Sequence, residues 1–275
     1  MWLRSGLFVA LITGYFHQSR MQPQDYAYLY ELEESFWWFA GMREITQALL
    51  DQIKPVTGSG RVLDAGCGTG GMMSRLNRYA PGKNVVGIDY SETALRFCVQ
   101  RQQQLLARAS VSELPFADAS FDLVTSFDVL QHVPDQKDAQ AIGEFYRVLR
   151  PGGIVFIRVA AYQWMRSGHD DAIAVQRRYD LDELAGHLRR AGFVIRKASY
   201  ANTLLFPVAA IKRLIFTPKG RADAESEVKP WPKSLAWMNG LLSVPLKLEA
   251  LALKKVDLPF GLSAICIGEK PRSDS

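Results

Sequence analysis

Cysteine is scarce in this chain of 275 residues, which contains only Cys67, Cys98 and Cys266. Their number is odd and they lie far apart, in an apparent loop, helix and strand. This pattern argues against a disulfide framework and against a zinc cluster. We therefore expect no metal site and a reducing, cytoplasmic environment.

Dense blocks of one charge are also missing. Lysine and arginine total 33 against 28 acidic residues, which gives a net charge of +5 and a sequence pI of about 9.1. No basic stretch is dense enough to indicate a nucleic-acid surface, so we expect no nucleic-acid partner. The small excess fits a solvated positive face, although it would also suit an anionic surface or substrate.

The N-terminus lacks a membrane-spanning run. Leu7–Ile12 is apolar and follows Arg4, loosely as in a signal peptide, but this run is too short to cross a bilayer. No small-residue cleavage pattern follows it, and Met21 is an alternative start that would make residues 1–20 an over-extended reading frame. A hydrophobic content of 48% nevertheless predicts a globular protein with an ample core.

The stretch Arg61–Gly71 carries the strongest signal, with the sequence R-V-L-D-A-G-C-G-T-G-G. Val62 and Leu63 have the apolar character of a buried strand, and Asp64 stands at its end, before four glycines within six residues. Glycine permits positive φ and leaves no Cβ between the main chain and a ligand. A strand, such a loop and a helix form the ligand-binding floor of many α/β domains.

The glycine spacing and the second strand narrow the class of ligand. The glycine spacing is G-x-G-x-G, which differs from the G-x-G-x-x-G of dinucleotide-binding domains. Asn84–Ile88 ends in Asp89, which lies 19 residues beyond Gly70. A carboxylate at this place can accept hydrogen bonds from both hydroxyls of a ribose.

These motifs resemble the S-adenosylmethionine site of class I methyltransferases. The match rests on V-L-D-A-G-C-G-T-G and V-V-G-I-D, and L-P-F and R-V-L-R-P-G-G extend it over Val62–Val159. The aromatic W-W-F segment with a following arginine resembles the cap of the bacterial type 11 (UbiE-like) subgroup. The resemblance implies S-adenosyl-L-methionine as cofactor.

The implied fold is α/β and Rossmann-like. Its seven-stranded, mostly parallel sheet has an antiparallel last strand, and a helical N-terminal cap and a helical insertion are added. We expect four parts: an N-terminal segment and aromatic cap (residues 1–45), the methyltransferase core (46–200), a helical insertion (201–260), and the last core strand with a tail (261–275). Local patterns predict strands at Ala107–Val111, Phe121–Phe127, Ile154–Val159, Phe193–Tyr200 and Ser263–Glu269, helices at Ser91–Arg108, Gly143–Gly153 and Val208–Phe216, and a helical stretch Leu235–Leu253 broken near Pro245.

The resemblance also assigns cofactor contacts. Asp89 would hold the ribose, Arg43 would pair with the ligand's carboxylate, and Cys67 is a small filler of the loop. Ser110 stands where the family often has an acidic residue for the adenine amino group, so Ser112 or the backbone of Val111 is an alternative partner. The expected cofactor-binding set is Asp64, Gly66, Cys67, Gly68, Gly70, Asp89, Tyr90, Ser110, Val111, Ser126, Phe127 and Arg43.

Candidate catalytic groups follow the fourth and fifth strands, where loops line the crevice of such sheets. They are Asp128, His132, His169 and Tyr179. For His132, a histidine that holds its loop is the alternative to a general base, and for His169 the alternative is a structural loop residue. Val175 stands where the subgroup usually has a second histidine.

The expected reaction is methyl transfer to an O or N nucleophile of a small molecule or of a glycan or lipid intermediate. Two alternatives are open: a nicotinamide-dependent oxidoreductase and a non-catalytic cofactor-binding or scaffold protein of the same fold. The insertion at residues 201–260 is interpreted as a cap over the acceptor, a homodimer surface or a peripheral membrane contact.

Overall fold

The computed structural model describes residues 23–53, 60–80, 82, 84–134, 137–216 and 237–272. Predictions about residues 1–20 lie outside this part of the chain. No helix within it is both long and apolar enough to cross a membrane.

Seven strands form one sheet in the order β3-β2-β1-β4-β5-β7-β6. β7 runs antiparallel to both of its neighbours, β5 and β6, and the other pairings are parallel. This arrangement confirms the predicted fold class, including the antiparallel last strand. The strands are β1 Val62–Ala65, β2 Val85–Asp89, β3 Leu106–Arg108, β4 Phe121–Phe127, β5 Leu149–Ala160, β6 Val194–Ala201 and β7 Ser263–Glu269.

Helices cover both faces of the sheet. They are α1 Pro23–Ser35, α2 Trp37–Ile53, α3 Met73–Leu76, α4 Glu92–Gln100, α5 Lys137–Val148, α6 Gly168–Ala172, α7 Leu181–Arg190, α8 Phe206–Phe216 and α9 Met238–Leu253. Two buried clusters result, because successive side chains of a strand point to opposite faces. In β4, Val124 belongs to the cluster beneath α5 and α7, and Leu123 to the cluster beneath α2 and α9.

The predicted boundaries of two helices and two strands are wrong. Helix α4, predicted to reach Arg108, ends at Gln100, before Gln102 with φ of 62°. Strand β3, predicted at Ala107–Val111, therefore begins at Leu106 and ends at Arg108. Helix α5 ends at Val148, and β5 begins at Leu149 because Gly152, with φ of 79°, turns within a strand that shifts register against β4. Local turn residues therefore lie inside the strand and do not delimit it.

Helix α9 runs without a break through Pro245, contrary to the prediction. A proline removes one backbone hydrogen bond, but buried Leu246, Ala250 and Leu253 hold the helix against α2. The two helices approach closely at Gly41, where an added Cβ would lie 2.2 Å from Cδ1 of Leu246. Helix α9 of the insertion is thus part of the second core cluster.

Candidate functional site

The glycine loop connects β1 to α3 with three residues at positive φ: Gly66 at 87°, Gly68 at 54° and Gly70 at 86°. The N–H of Gly66 donates to the carbonyl of Ile88, 2.9 Å away, which ties the loop to the end of β2. A Cβ on Gly66 would lie 2.3 Å from Cγ2 of Val129. Glycine is therefore required here by both conformation and space.

Gly68 faces open space beside a carboxylate. A Cβ at this position would meet a single atom within 4 Å, Cδ2 of Leu29 at 3.8 Å. The Gly68 N–H donates to Asp89, 2.9 Å away, and the Ser91 N–H donates to the other oxygen of the same carboxylate at 2.8 Å. Burial raises the pKa of Asp89, while these backbone donors act in the opposite direction.

Asp64, at the carboxyl end of β1, is 2% exposed and accepts a hydrogen bond of 2.8 Å from Thr125 Oγ1. Burial raises the pKa of Asp64 to about 7, against the opposing effect of this hydrogen bond. The charges of Glu33 and Asp89 raise it further, and Arg158 lowers it. Asp64 therefore changes its charge close to neutral pH.

Helix α1 is fastened over the glycine loop by Glu33 and Arg101. The Glu33 carboxylate accepts from Thr69 Oγ1 at 2.5 Å and from Arg101 Nη2 at 3.1 Å. Arg101 also donates to the carbonyls of Tyr30 and Thr69, at 2.7 and 3.0 Å, and to the carboxylate of Glu34. Burial raises the pKa of Glu33 to about 7. Sequence reasoning missed this pair, because 68 residues separate its members.

Arg43, predicted to meet the ligand's carboxylate, lies on α2 and donates to the carbonyls of Glu33 and Glu34 at the end of α1. Its observed contacts therefore brace the corner between the two helices. The predicted contact between Arg43 and the ligand's carboxylate stays a prediction.

Cys67 fills the loop interior, as expected. Its thiol is 3.8 Å from that of Cys98. This contact and burial raise the pKa of Cys67 well above its ordinary value. A thiol so strongly held in its neutral form is a poor nucleophile.

The polar groups after β2 and β3 occupy the predicted adenine side. Arg108 Nε donates to the Tyr90 carbonyl at 3.0 Å. The hydroxyls of Ser110 and Ser112 are 2.8 Å apart, and Val111 between them is buried. Ser110 and Ser112 thus form one hydrogen-bonded hydroxyl pair, and their contact with adenine stays a prediction.

Asp128 follows β4 with φ of 59° and forms a partly buried ion pair with Arg158. Its carboxylate accepts from Arg158 Nη2 at 2.6 Å and from Nε at 3.1 Å. The Arg158 guanidinium lies 5.1 Å from the ring centre of Phe127 and 5.7 Å from that of Trp38. Arg158 and Trp38 were missed as site residues, although a basic residue within the apolar strand I-V-F-I-R-V-A was a usable signal.

The other candidate catalytic groups separate into distinct environments. His132 Nδ1 lies 3.3 Å from the Ala174 carbonyl, and burial lowers the pKa of this histidine. His169 lies half-buried on the short helix α6. Tyr179 is fully buried, and its hydroxyl lies 3.0 Å from the carboxylate of Asp138. The Tyr179 side chain therefore belongs to the core and does not face a crevice.

The residues at the carboxyl ends of β1, β2 and β4 fit S-adenosylmethionine. Ser126, at the end of β4, has a buried hydroxyl with no hydrogen-bond partner in the described part of the chain. Gly68 leaves its ligand-facing side open, and Asp89 offers carboxylate lone pairs next to it. This donor and acceptor set suits a ribose and an amino acid moiety, and no phosphate-binding lysine is needed.

Comparison with known proteins identifies the core. The family model described as a methyltransferase domain matches residues 63–157. A protein of Mycolicibacterium smegmatis named as an S-adenosylmethionine-dependent methyltransferase is 32% identical over 168 residues, which is 60% of this chain and 62% of that protein. A Mycobacterium tuberculosis protein of similar name is 32% identical over 167 residues, with 60% and 58% covered. The chain thus spans about three fifths of these relatives.

A solved structure shows the same fold. A chain of the complex between the Haloferax volcanii Trm112 methyltransferase activator and a methyltransferase superposes with a TM-score of 0.56 at 18% identity, covering 91% of this chain and 96% of that one. The sheet order, the loop geometry and the sequence match agree, and residues 63–157 form a methyltransferase domain similar to that of S-adenosylmethionine-dependent methyltransferases.

Proposed function

We propose that this protein transfers the methyl group of S-adenosylmethionine to an O or N nucleophile of a small molecule or of a lipid- or glycan-linked acceptor. The observation that carries the proposal is the open backbone at Gly68 beside Asp89, under a helix fastened across the loop. When bound, the sulfonium supplies an activated methyl group. The protein then mainly has to align the acceptor and exclude water.

Each group at the crevice has a proposed task. Asp89 binds the ribose hydroxyls, and the unpartnered Ser126 hydroxyl bonds the cofactor at the end of β4. Asp64 and Glu33 provide negative charge for the cofactor's ammonium group. Helix α1, held by Arg101, keeps water from the reacting atoms.

The acceptor would enter beyond β5, where aromatic side chains gather. The Tyr162 ring stacks on that of Tyr200, with 5.0 Å between centres and an angle of 21°. Phe206 at the start of α8 lies 5.6 Å from Tyr162, and Trp164 is half-exposed beside both. This cluster offers an apolar, partly open surface suited to a ring or an acyl group.

A base is needed only where the nucleophile carries a proton that must leave. His132 is the proposed base for a hydroxyl acceptor, because burial lowers its pKa and so favours the neutral imidazole. The Asp128–Arg158 ion pair is proposed to shape the crevice floor without taking a proton. His169 is proposed as an acceptor contact.

Isothermal titration with S-adenosylmethionine and with NAD tests the cofactor assignment. We expect saturable binding of the first alone. Asp89→Ala should weaken that binding by at least about tenfold, which corresponds to about 1.4 kcal/mol. Asp118→Ala, a carboxylate on the exposed surface with 78% side-chain exposure, is the matched control and should bind like wild type. Binding of NAD alone, or of neither compound, would refute the proposal.

A further inference from the structure

Helix α8 exposes a continuous apolar stripe. Leu204, Val208, Ile211 and Ile215 follow one another at spacings of four, three and four residues, so they share one side of the helix and the turn before it. Their exposed fractions are 55%, 70%, 54% and 67%. Leu214 beside them is 73% exposed. No described side chain of α8 is fully buried, so its strongest apolar surface points outward.

Helix α9 repeats the pattern. Its outer stripe has the spacing four, three, four and three, and every member is apolar and between 44% and 70% exposed. The opposite side of the helix packs on α2. An amphipathic helix ordinarily places polar residues on its outer side, and here that side is apolar too. The stripe consists of Trp237, Leu241, Val244, Leu248 and Leu251.

The exposed charged residues of α8 and α9 are all basic. The sole acidic residue of the two helices, Glu249, is 3% exposed and accepts hydrogen bonds of 3.0 and 3.1 Å from the Thr203 N–H. Glu249 therefore fixes the start of α8 to α9 and contributes no surface charge. The basic residues of α8, α9 and the turn after α9 are Lys212, Arg213, Lys247, Lys254 and Lys255.

Acidic groups near these lysines belong to other elements. Lys247 and Lys254 share a polar crevice with Glu44 and Asp51 of α2. Asp257 after α9 pairs with Lys197 of β6 at 2.7 Å. The exposed apolar stripes themselves carry no acidic residue. Apolar side chains bordered by lysine are the features that bind helices to a membrane interface with anionic lipids.

We propose that the outer stripes of α8 and α9, called here the apolar docking face, bind the surface of an anionic phospholipid bilayer. The apolar side chains enter the headgroup region while the lysines meet lipid phosphates. Phe206 links this face to the aromatic cluster at Tyr162, 5.6 Å away, so docking places the acceptor side of the crevice near the membrane. The binding needs no cofactor and no methyl transfer.

Vesicle flotation with the full chain tests the proposal. Vesicles of phosphatidylcholine mixed with phosphatidylglycerol should retain the protein at least about tenfold better than phosphatidylcholine alone, and added salt should reduce the difference. The double variants Leu241→Ser/Leu248→Ser and Ile211→Ser/Ile215→Ser should each lose at least about tenfold in binding. Val99 and Leu105, also apolar and 47% and 44% exposed, lie elsewhere, so Val99→Ser/Leu105→Ser is the matched control.

Thermal unfolding and S-adenosylmethionine titration on each variant separate docking from folding and from the proposed function. Loss of vesicle binding with unchanged melting temperature and cofactor affinity supports the docking face. Equal binding to neutral and anionic vesicles, or variants that bind like wild type, would overturn it. So would a wild-type dimer that the Leu241→Ser/Leu248→Ser variant dissociates without any vesicle binding, because the face would then join two copies of the chain.

Discussion

Cofactor affinity should depend on pH through the two carboxyl groups beside the glycine loop. Asp64 and Glu33 both have pKa values raised to about 7, mainly by burial. A cationic ligand placed against them favours their ionised forms, so binding should release protons. Affinity should consequently rise as the pH rises from 6 to 8.

The size of the effect follows from the ionised fraction. A group with a pKa of about 7 is ionised in about one molecule in eleven at pH 6 and in about ten in eleven at pH 8. The apparent dissociation constant varies inversely with the competent fraction. One linked carboxyl therefore strengthens binding about tenfold over this range. Asp64 and Glu33 together give less than about a hundredfold, because the charge of Glu33 opposes the ionisation of Asp64.

Calorimetric titration with S-adenosylmethionine at pH 6, 7 and 8, in buffers of different ionisation enthalpy, measures both affinity and proton release. Glu33→Gln should flatten the dependence while keeping the hydrogen bond to Thr69 in reach. Glu113→Gln, which changes an exposed carboxyl on another loop, is the control and should keep the slope. A wild-type affinity that is constant from pH 6 to 8, with no protons released, would refute the linkage.

Three further predictions concern stability and the helix over the glycine loop. Gly41→Ala should lower the free energy of unfolding by about 1–3 kcal/mol in urea titration, because its Cβ would overlap Leu246, and an unchanged midpoint would contradict the close α2–α9 packing. Asp128→Asn should lower the free energy of unfolding by about 3 kcal/mol, since it leaves Arg158, with its side chain 7% exposed, without its counter-ion. Asp171→Asn, at an exposed ion pair, should lower it by under about 1 kcal/mol. Arg101→Met should speed hydrogen exchange in α1 and weaken S-adenosylmethionine binding, and exchange as slow as in wild type would show that Arg101 does not fasten the helix.

The sheet and the glycine loop could be predicted because their signals are local. The predicted bounds of β4 and β7 are the observed ones, and both strands are buried on both faces over almost their whole length. Position 66 requires glycine because its φ is positive and because Val129 lies too close for a Cβ, so the same constraint explains the sequence motif and the loop geometry. Asp89 stands at the carboxyl end of β2, and the topology of the sheet fixes the position of that end.

Other parts of the site depend on contacts between distant residues. Arg101 meets Glu33 only after α1 folds across the loop, and no spacing in the sequence reports that meeting. Tyr179 has the character of a catalytic residue, but Asp138, 41 residues away, accepts its hydroxyl in the core. Pro245 predicts a break when its own helix is considered, and the packing of α9 on α2 overrides that prediction.

The same distinction explains why the cofactor is easier to infer than the acceptor. The proposed cofactor contacts are made by backbone and by a few strand-end carboxylates, and these positions follow from the topology of any such sheet. The proposed acceptor side includes Tyr162, Phe206 and Phe260, which three separate connections bring together. Two of those connections, at Phe206 and Phe260, adjoin the helices α8 and α9 that carry the apolar docking face. The identity of the acceptor is therefore expected to follow from what that face binds, and vesicle binding is the measurement that should be made before acceptors are screened.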